Sequence, residues 1–215
     1  MSMPLILGVE APNVQNEEAY WFAFQSDKIL VHVEGPYLHI PFKRDFAELA
    51  LRFESQRFLG ILNGINCYVV DLVEEISLAK SMQLLGLRKL FGHVNDDLFS
   101  IAGRAKQILH WHKTHRFCGR CAAIMHDKMG ELAKECPECE FLCYPRLSPA
   151  VIMVVKRDSE ILLARSFHHR KGMYTALAGF VEPGETLEDA VKREAKEELT
   201  IRMPTTTSSI GEVNS

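Results

Sequence analysis

The sequence predicts an α+β protein built from three successive pieces, and three features carry that reading. Short apolar runs bounded by turn formers fill roughly the first 75 residues, which is the signature of strands. Five of the six cysteines then crowd between Cys118 and Cys143. Beyond them, strand-like segments lead into a strongly patterned helix from about Leu187 to Leu199.

The N-terminal strands are expected at Tyr20 to Phe24, Ile29 to Val33, Tyr37 to Ile40 and Ile65 to Val73, with a turn at Gly35-Pro36. From about Ile76 the period changes. Leu78, Met82, Leu85 and Leu90 recur at near-helical spacing, and Asn95 or Asp96 offers an N-cap for a helix running to about His112. Residues 114–143 are too few to bury a core unaided and need a staple. After them, Ala150 to Val155 and Ile161 to Arg165 flank the polar turn 156–159 as a hairpin, and Tyr174 to Ala178 reads as a further strand. Residues 203–215 are rich in Thr and Ser, contain no Lys or Arg and show no period, so a disordered tail is expected there. The domains are thus 1–113, an N-terminal α+β domain; 114–143, a metal-stapled ribbon; 144–202, a second α+β piece; and the tail.

Composition narrows the function classes. A chain of 215 residues with 47% apolar and 25% charged residues is ordinary for a globular protein. Its net charge of -3 supplies no basic field for nonspecific nucleic-acid binding. The apolar start Leu5-Ile6-Leu7 is too short for a signal-peptide core or a membrane span, so the expectation is a cytoplasmic protein without a membrane partner. Clustered rather than dispersed cysteines agree with that compartment and with a metal site. Cys67 and Cys143, outside the pairs, read as buried or half-buried free thiols.

Cys118-Gly119-Arg120-Cys121 and Cys136-Pro137-Glu138-Cys139 form C-x2-C, x14, C-x2-C. Each pair can bend into a tight knuckle, and two knuckles complete a tetrahedron of thiolates around Zn²⁺. Four protein ligands leave no open position. Zinc at Cys118, Cys121, Cys136 and Cys139 is therefore expected to be structural, its binding energy serving as folding energy for the segment.

The acidic helix does not read as a solvated one. At about 100° per residue from Leu187, Ala190, Val191 and Ala195 fall near 300°, 40° and 80°, roughly bracketing Glu194 near 340° and Glu198 near 20°. Two carboxylates one turn apart on an inward face repel and are desolvated unless a cation joins them. A hard divalent ion with oxygen ligands, Mg²⁺ or Mn²⁺, is the expected partner.

The segment from Gly179 through Glu185, Arg193, Glu194, Glu197 and Glu198 to Ile201 resembles the Nudix box, G-x5-E-x7-R-E-U-x-E-E-x-G-U. Ala195 stands at the first bulky aliphatic position and Thr200 replaces the last Gly. A four-cysteine ribbon directly before such a box, together with Tyr144-Pro145 and the run Ala178 to Glu182, resembles the NADH pyrophosphatase branch of that family. The resemblance implies an incomplete Nudix α/β/α sandwich over 144–202 and hydrolysis of the pyrophosphate bond of NADH or NAD⁺ to nicotinamide mononucleotide and AMP. NAD-capped RNA is a further implied substrate. It implies Glu194, Glu197 and Glu198 as catalytic, metal-holding carboxylates, with the carbonyl of Ala178 as an added ligand and Glu185 and Arg193 holding the loop on the helix. It implies Tyr144 and Arg88 as substrate contacts. A homodimer is a separate expectation for the chain.

The Ser-Gln-Pro-Trp-Pro-Phe-Pro segment that follows the box in this branch does not occur after Ile201. The expectation is accordingly a C-terminally truncated form. The alternative from another class is a catalytically weak zinc-ribbon module that binds or dimerises.

Overall fold

The computed structural model describes residues 5–11, 18–48, 51–73, 77–165, 167–168 and 170–199. The tail expected over 203–215, the box residue Ile201 and the start of the helical period at Ile76 lie outside the described residues. The chain divides into two compact units, Met1–Pro145 and Arg146–Ser215, so the ribbon belongs with the N-terminal sheet.

In the first unit the strands are β1 (Ile6–Leu7), β2 (Tyr20–Gln25), β3 (Lys28–Glu34) and β4 (Tyr37–His39). Helix α1 (Lys43–Glu48) precedes β5 (Phe53–Leu62), β6 (Ile65–Leu72) and β7 (Met82–Gly86), and α2 (Asp96–Thr114) follows. They form a seven-stranded sheet ordered β1-β5-β6-β2-β3-β4, with β7 also on β3; the β2–β6 pair is parallel and the others antiparallel.

Strand alternation gives this sheet two apolar faces. Phe22 and Phe24 point to the cluster that holds Ile101, Ala105 and Ile108 of α2. Trp21 and Ala23, on the alternate positions, join Phe46 of α1, Tyr68 and Val70. Burying each large side chain of this kind contributes about 1.5–3 kcal/mol.

Two features here differ from the sequence reading. The span from Leu78 to Leu90 is not helical: Met82–Gly86 is a strand along β3, and only Leu87–Leu90 forms a short 3-10 turn. The unpaired edge of β3 supplied hydrogen bonds that outweighed a short helical period. The ten-residue β5 was also unforeseen, although Asn63 and Gly64, both at positive φ, make the two-residue hairpin turn joining it to β6. A bulge at Gly60 lets Ile6 of β1 approach so closely that a Cβ there would overlap the Ile6 carbonyl.

Helix α2 begins as expected, with the Asn95 side chain accepting from the Leu98 amide at 2.8 Å. Its other end is closed by the ribbon. Lys134, 2% exposed, donates its Nζ to the carbonyls of His112 and His115, each at 2.9 Å, with Trp111 alongside. A buried ammonium is tolerated there because it meets carbonyls at the negative end of a helix. The ribbon strands β8 (His126–Asp127), β9 (Lys134–Glu135) and β10 (Leu142–Cys143) form their own sheet, ordered β10-β9-β8. Arg57 of β5 ties β8 down through Asp127 at 2.8 Å and meets His112 Nε2 at 2.6 Å.

The second unit contains β11 (Ala150–Met153), β12 (Lys156–Arg157), β13 (Glu160–Ile161), β14 (Leu177–Phe180) and α3 (Leu187–Leu199). The hairpin expected between Ala150 to Val155 and Ile161 to Arg165 is reduced to the short β12–β13 pair around Asp158. β11 instead pairs antiparallel with β14, because Val151, Met153 and Leu177 then share one face with Ala190 and Ala195 of α3. This shifts the last strand from the expected Tyr174 to Ala178 onto Leu177–Phe180. The α+β class of the chain stands, and the described residues of this unit place one long helix on a two-stranded sheet.

Candidate functional site

The four cysteines expected to hold zinc come together, their sulfurs all within 4.8 Å of one another. Cys118 and Cys139 lie 3.6 Å apart and Cys121 and Cys136 3.4 Å, near the edge of about 3.8 Å that a tetrahedron with Zn–S of about 2.3 Å requires. The knuckles are built alike. Cys118 N donates to Ala123 O and Ala122 N to Cys118 O, while Cys136 N donates to Phe141 O and Glu140 N to Cys136 O. Both turns need a left-handed residue after the second cysteine, and Ala122 and Glu140 take φ of 63° and 57° to provide it. Burial opposes ionisation of Cys118, yet the amides of Arg120 and Cys121 hold its thiol down at about 6. An all-thiol, closed quartet fits zinc in a structural role.

The acidic helix is organised around Arg193. Its Nε and Nη2 grip both oxygens of Glu185 at 3.0 Å, Nη2 donates to the Phe180 carbonyl at 2.8 Å, and Nη1 meets Glu194 at 2.8 Å and Glu197 at 3.2 Å. The Glu185 and Glu194 carboxylates hydrogen-bonded to Arg193 raise the pKa of its guanidinium. Arg193, with the Glu182 amide, holds the Glu185 carboxyl below its ordinary range. The loop 180–185 is thereby bound to the helix that follows it. Thr186 caps that helix, its hydroxyl accepting from the Asp189 amide at 3.2 Å and donating back to the Asp189 carboxylate at 2.8 Å.

Glu194 is the inward carboxylate, its side chain 14% exposed. It lies so tightly on β14 that a Cβ at Gly179 would overlap its carboxyl group, which places it beside the strand residue following Ala178. Glu198, expected to share that inward face, is exposed, as is Glu197. The reason is geometric: among the described residues, the two-stranded sheet covers the helix along Ala190 and Ala195, with Val191 and Leu199 at its margin. Among the described residues, the cysteine quartet is the one group of three or more potential metal-binding side chains that converges. Arg193 balances the charges of Glu194 and Glu197 in this arrangement.

Tyr144 and Arg88 both lie in the first unit. The Tyr144 hydroxyl donates to Glu131 at 2.8 Å, which raises its pKa. Arg88 sits on the 3-10 turn after β7, beside Lys89 and Phe91. Sequence reasoning missed two contributors. The Thr186-x-x-Asp189 cap was legible as a spacing, whereas the exclusion of a side chain at Gly179 depended on where Glu194 folds.

A closed thiol quartet, and a loop fastened by an arginine to an acidic helix, define a zinc-ribbon protein with a carboxylate-bearing loop–helix site. Residues 18–111 match the NADH pyrophosphatase-like rudimentary NUDIX domain, 113–144 the NADH pyrophosphatase zinc ribbon domain, and 146–215 the NUDIX domain. Among curated proteins, the chain is 45% identical over 149 residues to the NAD-capped RNA hydrolase NudC of Chromobacterium violaceum, covering 69% of this chain and 56% of that one. With the protein of the same description from Stutzerimonas stutzeri the figures are 42% over 161 residues, 74% and 57%. With that from Yersinia pestis they are 35% over 187 residues, 87% and 67%. The chain belongs to the Nudix hydrolase family, in its zinc-ribbon NADH pyrophosphatase branch. It spans little more than half the length of the first two relatives.

The match over residues 18–111 also describes the N-terminal sheet and α2, whose residues alone named no chemistry. Helix α2 packs on that sheet, and its only acids are Asp96 and Asp97 in the first turn. Without glutamates along its length, that helix has no carboxylate set to hold a metal ion. No helix among the described residues is long and apolar enough to cross a membrane.

Proposed function

We propose that this protein hydrolyses the pyrophosphate bond of NADH or NAD⁺, water adding to one phosphorus as the bridging oxygen leaves, to release AMP and nicotinamide mononucleotide. On an NAD-capped RNA the same cleavage releases nicotinamide mononucleotide and leaves a 5′-monophosphate end. The observation that supports this most directly is the assembled loop–helix: Arg193 clamping Glu185 and Glu194, with Gly179 leaving room for the Glu194 carboxylate.

In this reading Glu194, Glu197 and Glu198 are the catalytic carboxylates, and with the Ala178 carbonyl they hold Mg²⁺ or Mn²⁺. Their all-oxygen donor set fits such an ion. When bound, the ion supplies charge neutralisation at the phosphate oxygens and a more acidic water. Glu185 and Arg193 keep the loop registered on the helix, and Glu197 would be one of the residues that hold the ion. Tyr144 and Arg88 contact the dinucleotide. We place the protein in the cytoplasm, as a homodimer of chains organised as 1–113, 114–143, 144–202 and a tail.

A second reading, a weakly catalytic zinc-ribbon module, is favoured by the exposure of Glu197 and Glu198. Purified protein incubated with NADH, and separately with NAD-capped RNA, in Mg²⁺ or Mn²⁺ decides between them. Metal-dependent AMP or nicotinamide mononucleotide release, lost in Glu194→Gln, supports the hydrolase; no release from either substrate supports the module.

A further inference from the structure

Between Glu160 and Glu182 the chain carries Arg165, Arg170, Lys171 and two histidines but no Asp or Glu. In a sequence with 28 Asp or Glu against 25 Lys or Arg, that stretch is a local positive patch. It folds as a loop of the second unit. The backbones of Ala164 and Thr175 close it with paired bonds of 2.8 and 2.9 Å, and a tight turn in which the Met173 amide donates to the Arg170 carbonyl at 3.0 Å holds Arg170 and Lys171 in one corner. All three cations are exposed, and among the described residues no acid pairs with them, whereas Arg157, Lys192 and Arg193 of the same unit each have an acid partner.

Rings alternate with these cations. Phe167 is fully exposed and Tyr174 is 59% exposed. Large rings left in water beside such cations mark a surface that something covers. Single-stranded nucleic acid fits, because its bases stack on ring faces while its phosphates meet Arg and Lys. An anionic membrane fits less well, since three Lys or Arg fall short of the roughly four to eight that basic membrane-binding segments carry. The loop is also joined to the acidic helix through its own strand. Thr175 stands four residues before Gly179, which touches Glu194, so the root of the loop is at most about 14 Å of chain from that contact. Both lie within the second unit.

We propose that loop 165–174 binds single-stranded RNA, its cations on the phosphates and its rings on the bases of the strand that follows a 5′ NAD cap. The inference rests on the reading of capped RNA as a substrate and deepens it. Free NADH ends at its adenosine and offers no such strand, so the loop favours capped RNA over the free dinucleotide. Phosphate contacts and ring stacking carry little base information, and the preference is therefore for single strands of any sequence.

The test uses the full chain and a 3′-labelled single-stranded RNA decamer with a 5′ monophosphate, so that binding is read by anisotropy without turnover. Phe167→Ala should weaken binding about fivefold or more, and because that ring is fully exposed its loss should leave the fold as it was. Arg170→Gln combined with Lys171→Gln should also weaken binding, and it should lower the slope of log affinity against log salt by roughly 1.4, at about 0.7 for each phosphate of a single strand. With capped RNA and free NADH compared in the same metal, both variants should lower kcat/KM for the RNA at least about fivefold more than for NADH. Unchanged RNA affinity in both variants overturns the proposal. So does an equal fall for both substrates, which would assign the loop to the dinucleotide itself. Loss of binding to phosphatidylserine vesicles with RNA affinity intact would assign it to a membrane, and a fall in oligomeric mass with RNA affinity intact would make it a contact between copies; either overturns the proposal. If the chain binds RNA through these residues yet cleaves neither substrate, the docking site stands and the hydrolase reading fails.

Discussion

At the scale of single residues, the structure shows where one atom decides the outcome. Gly179 is such a place, since any side chain there must displace the Glu194 carboxylate. Gly179→Ala should cost about 1–3 kcal/mol through overpacking and lower NADH hydrolysis at least about tenfold. Thermal melting read beside AMP release checks both; full activity in a stable variant would remove Glu194 from the site. The two knuckle residues Ala122 and Glu140 give the opposite expectation, because each holds a positive φ that glycine adopts without strain. Ala122→Gly or Glu140→Gly should therefore hold or raise ribbon stability by up to about 1 kcal/mol, seen as slower zinc release to a chelator. Faster release would show that those φ values are not strained.

Among elements, the closure of α2 by the ribbon carries the clearest consequences. Lys134→Met keeps the stem but removes the donor to the His112 and His115 carbonyls, and it should cost about 1–3 kcal/mol. Hydrogen exchange should rise across the last turn of α2, and unchanged protection there would discount the cap. His112 lies in the same junction, where burial first, then Arg57 and Lys134, push its pKa down to about 4. The unfolded chain, with an ordinary His near 6.5, binds more protons than the folded one between those values, so stability rises with pH across that interval. The contribution is whole above about 6.5 and is lost as pH falls towards about 4. Denaturant titrations at pH 7 and pH 5 should differ for the parent and converge for His112→Gln; identical slopes in parent and variant would exclude His112 as the source.

For the whole molecule, the grouping of ribbon and N-terminal sheet in one unit makes zinc a stabiliser of more than the ribbon. Metal analysis should find one zinc per chain. Chelation should raise hydrogen exchange over residues 116–143 and at the last turn of α2 while leaving α3, in the other unit, as it was. If exchange rises in the ribbon alone, the Lys134 and Arg57 contacts do not transmit the stabilisation.

What the sequence determined by itself was local and periodic. The thiol spacing, the Asn95 cap, the helix Leu187–Leu199 and the box residues were legible because their geometry depends on near neighbours in the chain. Four of the N-terminal strands were legible for the same reason, their apolar runs ending at turn formers. Tertiary structure decided the rest. Met82–Gly86 is a strand because β3 offered an unpaired edge, and β11 abandoned its local hairpin partner for β14 because that pairing buries Val151 and Leu177 on α3. Lys134 is a buried helix cap only because β9 brings it to the C-terminus of α2. Glu198 is exposed although its helical angle pointed inward, since a face is buried only as far as another element extends to cover it.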